Sequence, residues 1–258
     1  MAPNVTARRN HDALFGAQVS TLAQSDPELI EYFDNLAFGE VIEDAAALDE
    51  SIDTRTRVLV QLAAILAAGG LAEFRVMASA GLANAGVTPV ELKELVYQSV
   101  AYVGMARAYD YIHVVNDILR AAGVRLPLPA QSASTPDTRL EHGKAVQACI
   151  VGGREAVEAR LAGAAGDEAH FQRYLAANCF GDTVGRDGVD LQMRELLTFA
   201  MLSSLGGADA QVRGHVAGNL AVGNTRSRLL AVLTVLVPFI GYPRTLNALA
   251  AINDVIAG

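Results

Sequence analysis

The sequence predicts an all-α fold built from two tandem copies of one helical unit, and three observations carry that expectation. Apolar residues recur at helical spacing through most of the 258 residues, and no stretch shows the alternation that marks a strand. Helix start and stop signals punctuate the chain throughout. The stretch 57–119 also lies on 194–256 without a gap, with about fifteen of some sixty positions identical, clustered at turns and helix ends. Arg57 matches Arg194, Gly69-Gly70 matches Gly206-Gly207, Gly86 matches Gly223, and Thr88 matches Thr225. Gly104 matches Gly241, Arg107 matches Arg244, and Asn116-Asp117 matches Asn253-Asp254. Upstream, Tyr32 to Gly39 resembles Tyr174 to Gly181 more loosely. The units are assigned to 1–124 and 138–258, joined by a linker at 125–137.

In chain order, His11 to Leu22 is expected to form a first helix. Ser25-Asp26-Pro27 then places a capping side chain before a proline at the first helical position, starting a helix from Pro27 to about Phe38 that Gly39 closes. Glu40 to Ile52 reads as an acidic connector with some helical character. Asp53 or Thr54 caps a helix from Arg55 to Ala68, ended by Gly69-Gly70, and the next runs from Leu71 to Ala85. Thr88-Pro89-Val90-Glu91 is a capping box, so a further helix should start there and reach about Tyr102. Gly104 breaks it before a last helix, Ala106 to Ala122. Arg125 to Asp137 is rich in Pro, Ser and Thr without periodicity, the mark of a linker. In the second unit Asp190 is the N-cap of a helix with Arg194 and Glu195 in its first turn, and Gly206-Gly207 ends it. Another helix begins near Ala208-Asp209 and carries Gln211 and His215 on one side. Leu229 to Ile240 is the most apolar run; it falls short of a membrane span, contains Pro238, and reads as a core or subunit-interface helix.

Composition narrows the function. Charged residues make up 19% and hydrophobic ones 52%, which suits tightly packed helices or burial between subunits. The net charge of −8 weighs against nucleic acid, whose phosphates demand a basic face. Cys149 and Cys179 are too far apart for a CxxC or zinc site and too few for a secreted disulfide framework. With no signal-peptide pattern in the first residues, the expectation is a cytoplasmic protein with no membrane partner. The histidines carry no ligand spacing and no glycine-rich loop follows a strand, so neither a metal nor a nucleotide cofactor is expected.

The chemistry concentrates in Arg194 to His215. If the two helices there pack antiparallel, the Glu195 end of one lies near the His215 end of the other, and a carboxylate beside an imidazole is a usable proton-transfer pair. A glutamate in a first helical turn is also favoured by the helix dipole whatever its function. The repeat adds an argument. Glu195 corresponds to Val58 and His215 to Ala78, so acid and base are both present in the second copy and both absent from the first. Arg57 and Arg194 occur in both copies, as do Arg107 and Arg244, and a shared salt bridge or cap explains such pairs more simply than a ligand.

These elements carry a resemblance. Phe180-Gly181, Arg194-Glu195, Gly206-Gly207, His215, Gly223-Asn224-Thr225 and Gly241-Tyr242-Pro243-Arg244-Thr245 resemble the layout of the carboxymuconolactone decarboxylase and alkylhydroperoxidase D superfamily. The first unit shares it through Phe38-Gly39, Arg57, Gly86-Val87-Thr88 with Glu91, and Tyr102-Val103-Gly104. The resemblance implies alkylhydroperoxidase D-like helical units that assemble into trimers or hexamers, here a trimer of tandem chains or a dimer. It also implies one of two chemistries. The peroxidase-like branch resembles a CxxC closely followed by His, and neither Gly206 to Gly214 nor Gly69 to Met77 contains a cysteine. The decarboxylase-like branch implies a cofactor-independent lyase of a small carboxylated lactone or related cyclic acid, with His215 as acid/base and Glu195 as its partner. Arg194, Arg244 or Arg213 then holds the substrate carboxylate. Arg213, two residues from His215, points away from it. A peroxide-linked oxidoreductase and a non-catalytic ligand-binding or assembly protein are the alternatives.

Overall fold

The computed structural model describes residues 4–16 and 19–257, and every regular element among them is helical. The first helix starts earlier than expected. Asn4 caps α1 (Val5–Phe15) by accepting from the Ala7 amide, and Gly16, at φ +65°, ends it. Of the expected helical span up to Leu22, residues 17 and 18 lie outside the described residues and the chain from 19 on is not helical. α2 (Pro27–Asp34) begins at its proline, but Asp26 does not cap it, because its carboxylate accepts from Ser25 Oγ instead.

Gly39 does not close the helix either. The chain continues through a π-helical turn, Asn35–Glu40, into α3 (Val41–Leu48). A π-turn holds an extra residue and displaces the carbonyl pattern without stopping the helix. Asn10 of α1 donates to the Phe38 carbonyl at 2.8 Å, which satisfies the turn from outside.

The rest of the first copy follows its signals. Asp53 caps α4 (Thr54–Ala68), α5 (Leu71–Asn84) follows, and the Thr88–Glu91 box opens α6 (Pro89–Val103). α7 (Met105–Ala121) then leads into the linker, where Leu126 and Leu128 pack on the core. Two helices that carry no clear sequence signal come next, α8 (Arg139–Ile150) and α9 (Arg154–Gly163). α10 (Ala169–Tyr174) runs into a second π-helical segment, Leu175–Val184, so both Phe-Gly pairs sit in π turns. α11 (Leu191–Leu205), α12 (Asp209–Ala221) and α13 (Arg226–Ala257) complete the chain, the last broken at Gly241, where φ is +73°.

The copies do not have separate cores. α4 packs along α11, and Leu59, Leu62, Leu66, Leu196, Phe199 and Leu236 belong to one buried cluster spanning both units. Polar contacts repeat across the join. Gln61 Nε2 donates to the Val235 carbonyl at 3.0 Å, and Gln98 Nε2 donates to the Arg194 carbonyl at 2.9 Å, each linking one copy's first core helix to the other's third. By length and composition alone α13 is apolar enough to cross a membrane. Here Leu229, Val232, Val235 and Leu236 are fully buried in the shared core, which accounts for that apolarity.

Candidate functional site

Asp190 fixes the start of α11 by accepting from the Met193 amide at 2.8 Å, which puts Glu195 just past the first turn and not within it as the sequence suggested. The Gly206-Gly207 turn sends α12 back along α11, and His215 Nδ1 meets Glu195 Oε2 at 2.8 Å. Glu195 is fully buried while the imidazole keeps 18% of its surface exposed, so the pair has a dry end and an open end. The other carboxylate oxygen, Oε1, is buried without a hydrogen-bond partner among the described residues. An acceptor in that state gains from any donor brought to it.

Small and amide residues hold the helices at this distance. A β-carbon on Gly218 would stand 2.7 Å from Glu195 Oε2 and 2.6 Å from Ile150 Cγ2, so only glycine lets α12 approach. Asn219 Nδ2 donates to the carbonyls of Glu195 at 3.0 Å and His215 at 2.7 Å, tying both backbones together. Asn224 Nδ2 in turn donates to Asn219 Oδ1 at 2.8 Å.

Two further residues reach the pair that sequence reasoning does not assign to it. Tyr102, from the end of α6 in the first copy, lies with its ring 6.2 Å from that of His215 in an edge-on arrangement. Its hydroxyl accepts from Thr198 Oγ1 at 2.9 Å and lies close enough to the Cys179 thiol for the two to shift each other's acidity. Gln98 Nε2 donates to Thr198 Oγ1 at 3.0 Å, so a directional chain runs from Gln98 through Thr198 to Tyr102. Burial pushes the Tyr102 hydroxyl well above its ordinary range, with the charges of Cys179 and Glu195 adding to it. Burial also pushes the Cys179 thiol up to about 11. Both are neutral acids at pH 7. Tyr102 lies just before Gly104 and Cys179 just before Phe180-Gly181, so the shared turn motifs are the signal that pointed to these segments.

The three arginines lie elsewhere. Arg194 is 1% exposed, and its guanidinium donates to Glu94 Oε2 at 3.0 Å, to Gln98 Oε1 at 3.1 Å and to the carbonyls of Arg186, Asp187 and Val189. Glu94 is also gripped by Arg186 through two nitrogens. These donors are committed to the join between the copies, which leaves none for a substrate. Arg213 is about half exposed and pairs with Asp254 at 3.2 Å. Arg244 sits near the Gly206 turn, at the opposite end of α11 from Glu195 and roughly 15 Å along its axis. Its counterpart Arg107 donates to the Ala67 carbonyl at the end of α4. The copy of Arg194, Arg57, is 5% exposed but has lost its partners, because Ala231 and Val235 stand where the other copy has Glu94 and Gln98. Burial lowers its guanidinium to about 10.

The fold agrees with what comparison finds. No curated protein matches the chain. The model of the carboxymuconolactone decarboxylase family matches residues 27–117 and again residues 169–254, which are the π-turn-to-last-helix cores of the two copies. With most of its length covered by these two matches, the chain belongs to the carboxymuconolactone decarboxylase family and carries its unit as a tandem duplication.

Proposed function

We propose that this protein is a cofactor-independent lyase that removes carbon dioxide from a small carboxylated lactone or related cyclic acid. The observation that carries the reading is the His215–Glu195 contact at 2.8 Å with the carboxylate fully buried. Glu195 accepts from Nδ1 and so fixes the tautomer and plane of the ring, leaving Nε2 to exchange a proton with substrate. As the bond to the carboxylate breaks, its electron pair moves into the conjugated lactone carbonyl. The imidazolium then protonates the ring carbon. Tyr102 and Cys179 stay protonated through this, offering neutral donors close to the developing oxyanion.

Cys179 gives the peroxide-linked reading its one observation, a thiol beside the acid–base pair. A thiol at about 11 carries only about one part in ten thousand thiolate at pH 7, and the thiolate is the nucleophile. The lyase is therefore the better fit. On the same reading the chain assembles as a homotrimer, with six unit copies in a ring, and a dimer is the alternative.

The test is carbon dioxide release from a panel of five- and six-membered lactone carboxylates. His215→Ala and Glu195→Gln should each lower turnover by about 100-fold or more with melting temperature retained. Wild-type protein inert on the whole panel, or variants with undiminished release, would remove the proposal and favour a non-catalytic role. Peroxide reduction lost on Cys179→Ser would instead establish the redox alternative.

A further inference from the structure

The first copy has lost the acid and base, yet a cavity remains beside the equivalents of Tyr102 and Phe180. This space of about 550 Å³ is within the ~300–1,000 Å³ range of small-molecule sites. Phe239 stands in it at the position equivalent to Tyr102, and Phe38 at the position equivalent to Phe180. Four phenylalanines form its wall in edge-to-face contact: Phe33 lies 6.1 Å from Phe239 and 6.5 Å from Phe38, and Phe38 lies 5.6 Å from Phe15. Such a wall presents ring faces of negative potential.

Two hydroxyl residues, Ser20 and Thr21, line the cavity, and its ionisable groups are two carboxylates and one imidazole. Asp34 and Glu73 line the cavity from α2 and α5, and His11 lines it from α1, tilted against Phe15 and edge-on to Phe38. No lysine or arginine lines it among the described residues. Neither carboxylate has a hydrogen bond or ion pair within the chain among the described residues. Burial pushes both carboxyls above their ordinary range, with His11 pulling Asp34 part of the way back, so each gains from a positive partner.

We propose that this cavity is a second ligand site, which binds an organic ammonium ion carried on an aromatic or compact apolar body. The phenylalanines take the body and the near side of the cation, and Asp34 and Glu73 take its N–H donors. A carboxylate ligand, the kind proposed for the His215 site, is repelled here. The duplication thus yields two sites of opposite charge preference on one scaffold.

The experiment is calorimetric titration of the intact protein with 2-phenylethylammonium and, separately, with 3-phenylpropanoate. The ammonium should bind at one site per chain, at least about tenfold more tightly than the carboxylate. Asp34→Asn combined with Glu73→Gln should weaken it by about tenfold or more, and Val76→Phe, at a rim position 49% exposed, should weaken it by closing the mouth. His215→Ala should leave it unchanged, which separates this site from the other. Equal binding of both compounds, undiminished binding in the double or Val76 variants, loss in His215→Ala, or no heat with the ammonium would each overturn the assignment.

Discussion

Arg57 and Arg194 descend from one position and now have opposite energetics. Arg194 is buried with a carboxylate, an amide and three carbonyls, whereas Arg57 is buried with Ala231 and Val235 where the first two would be. Removing a satisfied buried charge strands its partners, at a cost of about 3–5 kcal/mol, while replacing an unpaired one by a hydrophobe of similar size removes a desolvation penalty that nothing offsets. Arg194→Met should therefore lower the melting temperature and Arg57→Met should raise it or leave it unchanged. A fall in both would mean that Arg57 has a partner in the assembled protein. Cys179 gives a pH signature of its own. Burial raises its folded value from 9.0 to about 11, so between those limits the folded chain holds a proton that the unfolded chain has released. Stability from this group is complete below about pH 9 and declines as pH rises toward 11. Cys179→Ala should make the melting temperature fall less steeply over that interval, and an unchanged slope would show the thiol to be hydrated.

At the scale of elements, the π turns decide where the site's side chains go. α8 lies directly on the second π segment: a β-carbon on Gly181 would stand 2.2 Å from the Arg139 carbonyl, and one on Gly143 would stand 1.8 Å from the Ala176 carbonyl. Neither obstacle is a flexible side chain. Gly181→Ala should therefore displace α8 from the π segment, costing about 1–3 kcal/mol and moving Cys179 away from Tyr102. Thiol labelling measures this directly, since Cys149 is exposed and reacts in both proteins while Cys179 should become reactive only in the variant. Labelling of Cys149 alone in both would show that the segment absorbs the change. The same packing explains why sequence reasoning closes a helix at Gly39. Glycine usually ends a helix through a left-handed turn, but here it serves close approach within a helix that goes on.

At the scale of the molecule, the shared core makes the join between copies part of the site. Tyr102 comes from the first copy and Cys179, Glu195 and His215 from the second, so the first copy still supplies a wall of the candidate site. The same pseudo-symmetry shapes the outer surface. Met105 and Tyr109 are 54% and 56% exposed, and their equivalents Tyr242 and Leu246 are 64% and 59% exposed. Apolar residues left at matched positions of both copies suit contacts that repeat around a ring. Sedimentation equilibrium should give three chains per particle at micromolar concentration, and Tyr242→Lys with Leu246→Lys should dissociate it. A monomer in the unaltered protein would overturn the trimer.

Length, turn residues and the internal repeat determined the all-helical class, the duplication and nearly every boundary from Asp53 to Ala121 and from Asp190 to Asp209, because caps and glycine turns are local and each acts within a few residues. The Glu195–His215 contact was legible for the same reason, since both residues flank one short turn and only the packing of adjacent helices had to be supplied. What the tertiary structure decided is everything that depends on residues far apart in the chain. It joined Tyr102 to His215, gave Arg194 its partners across the repeat and left Arg57 without an equivalent set among the described residues, and turned the Phe-Gly segments into π turns under α1 and α8. Sequence spacing carries no record of which distant surface will arrive to bury a side chain, and burial is what set the chemistry of each of these groups.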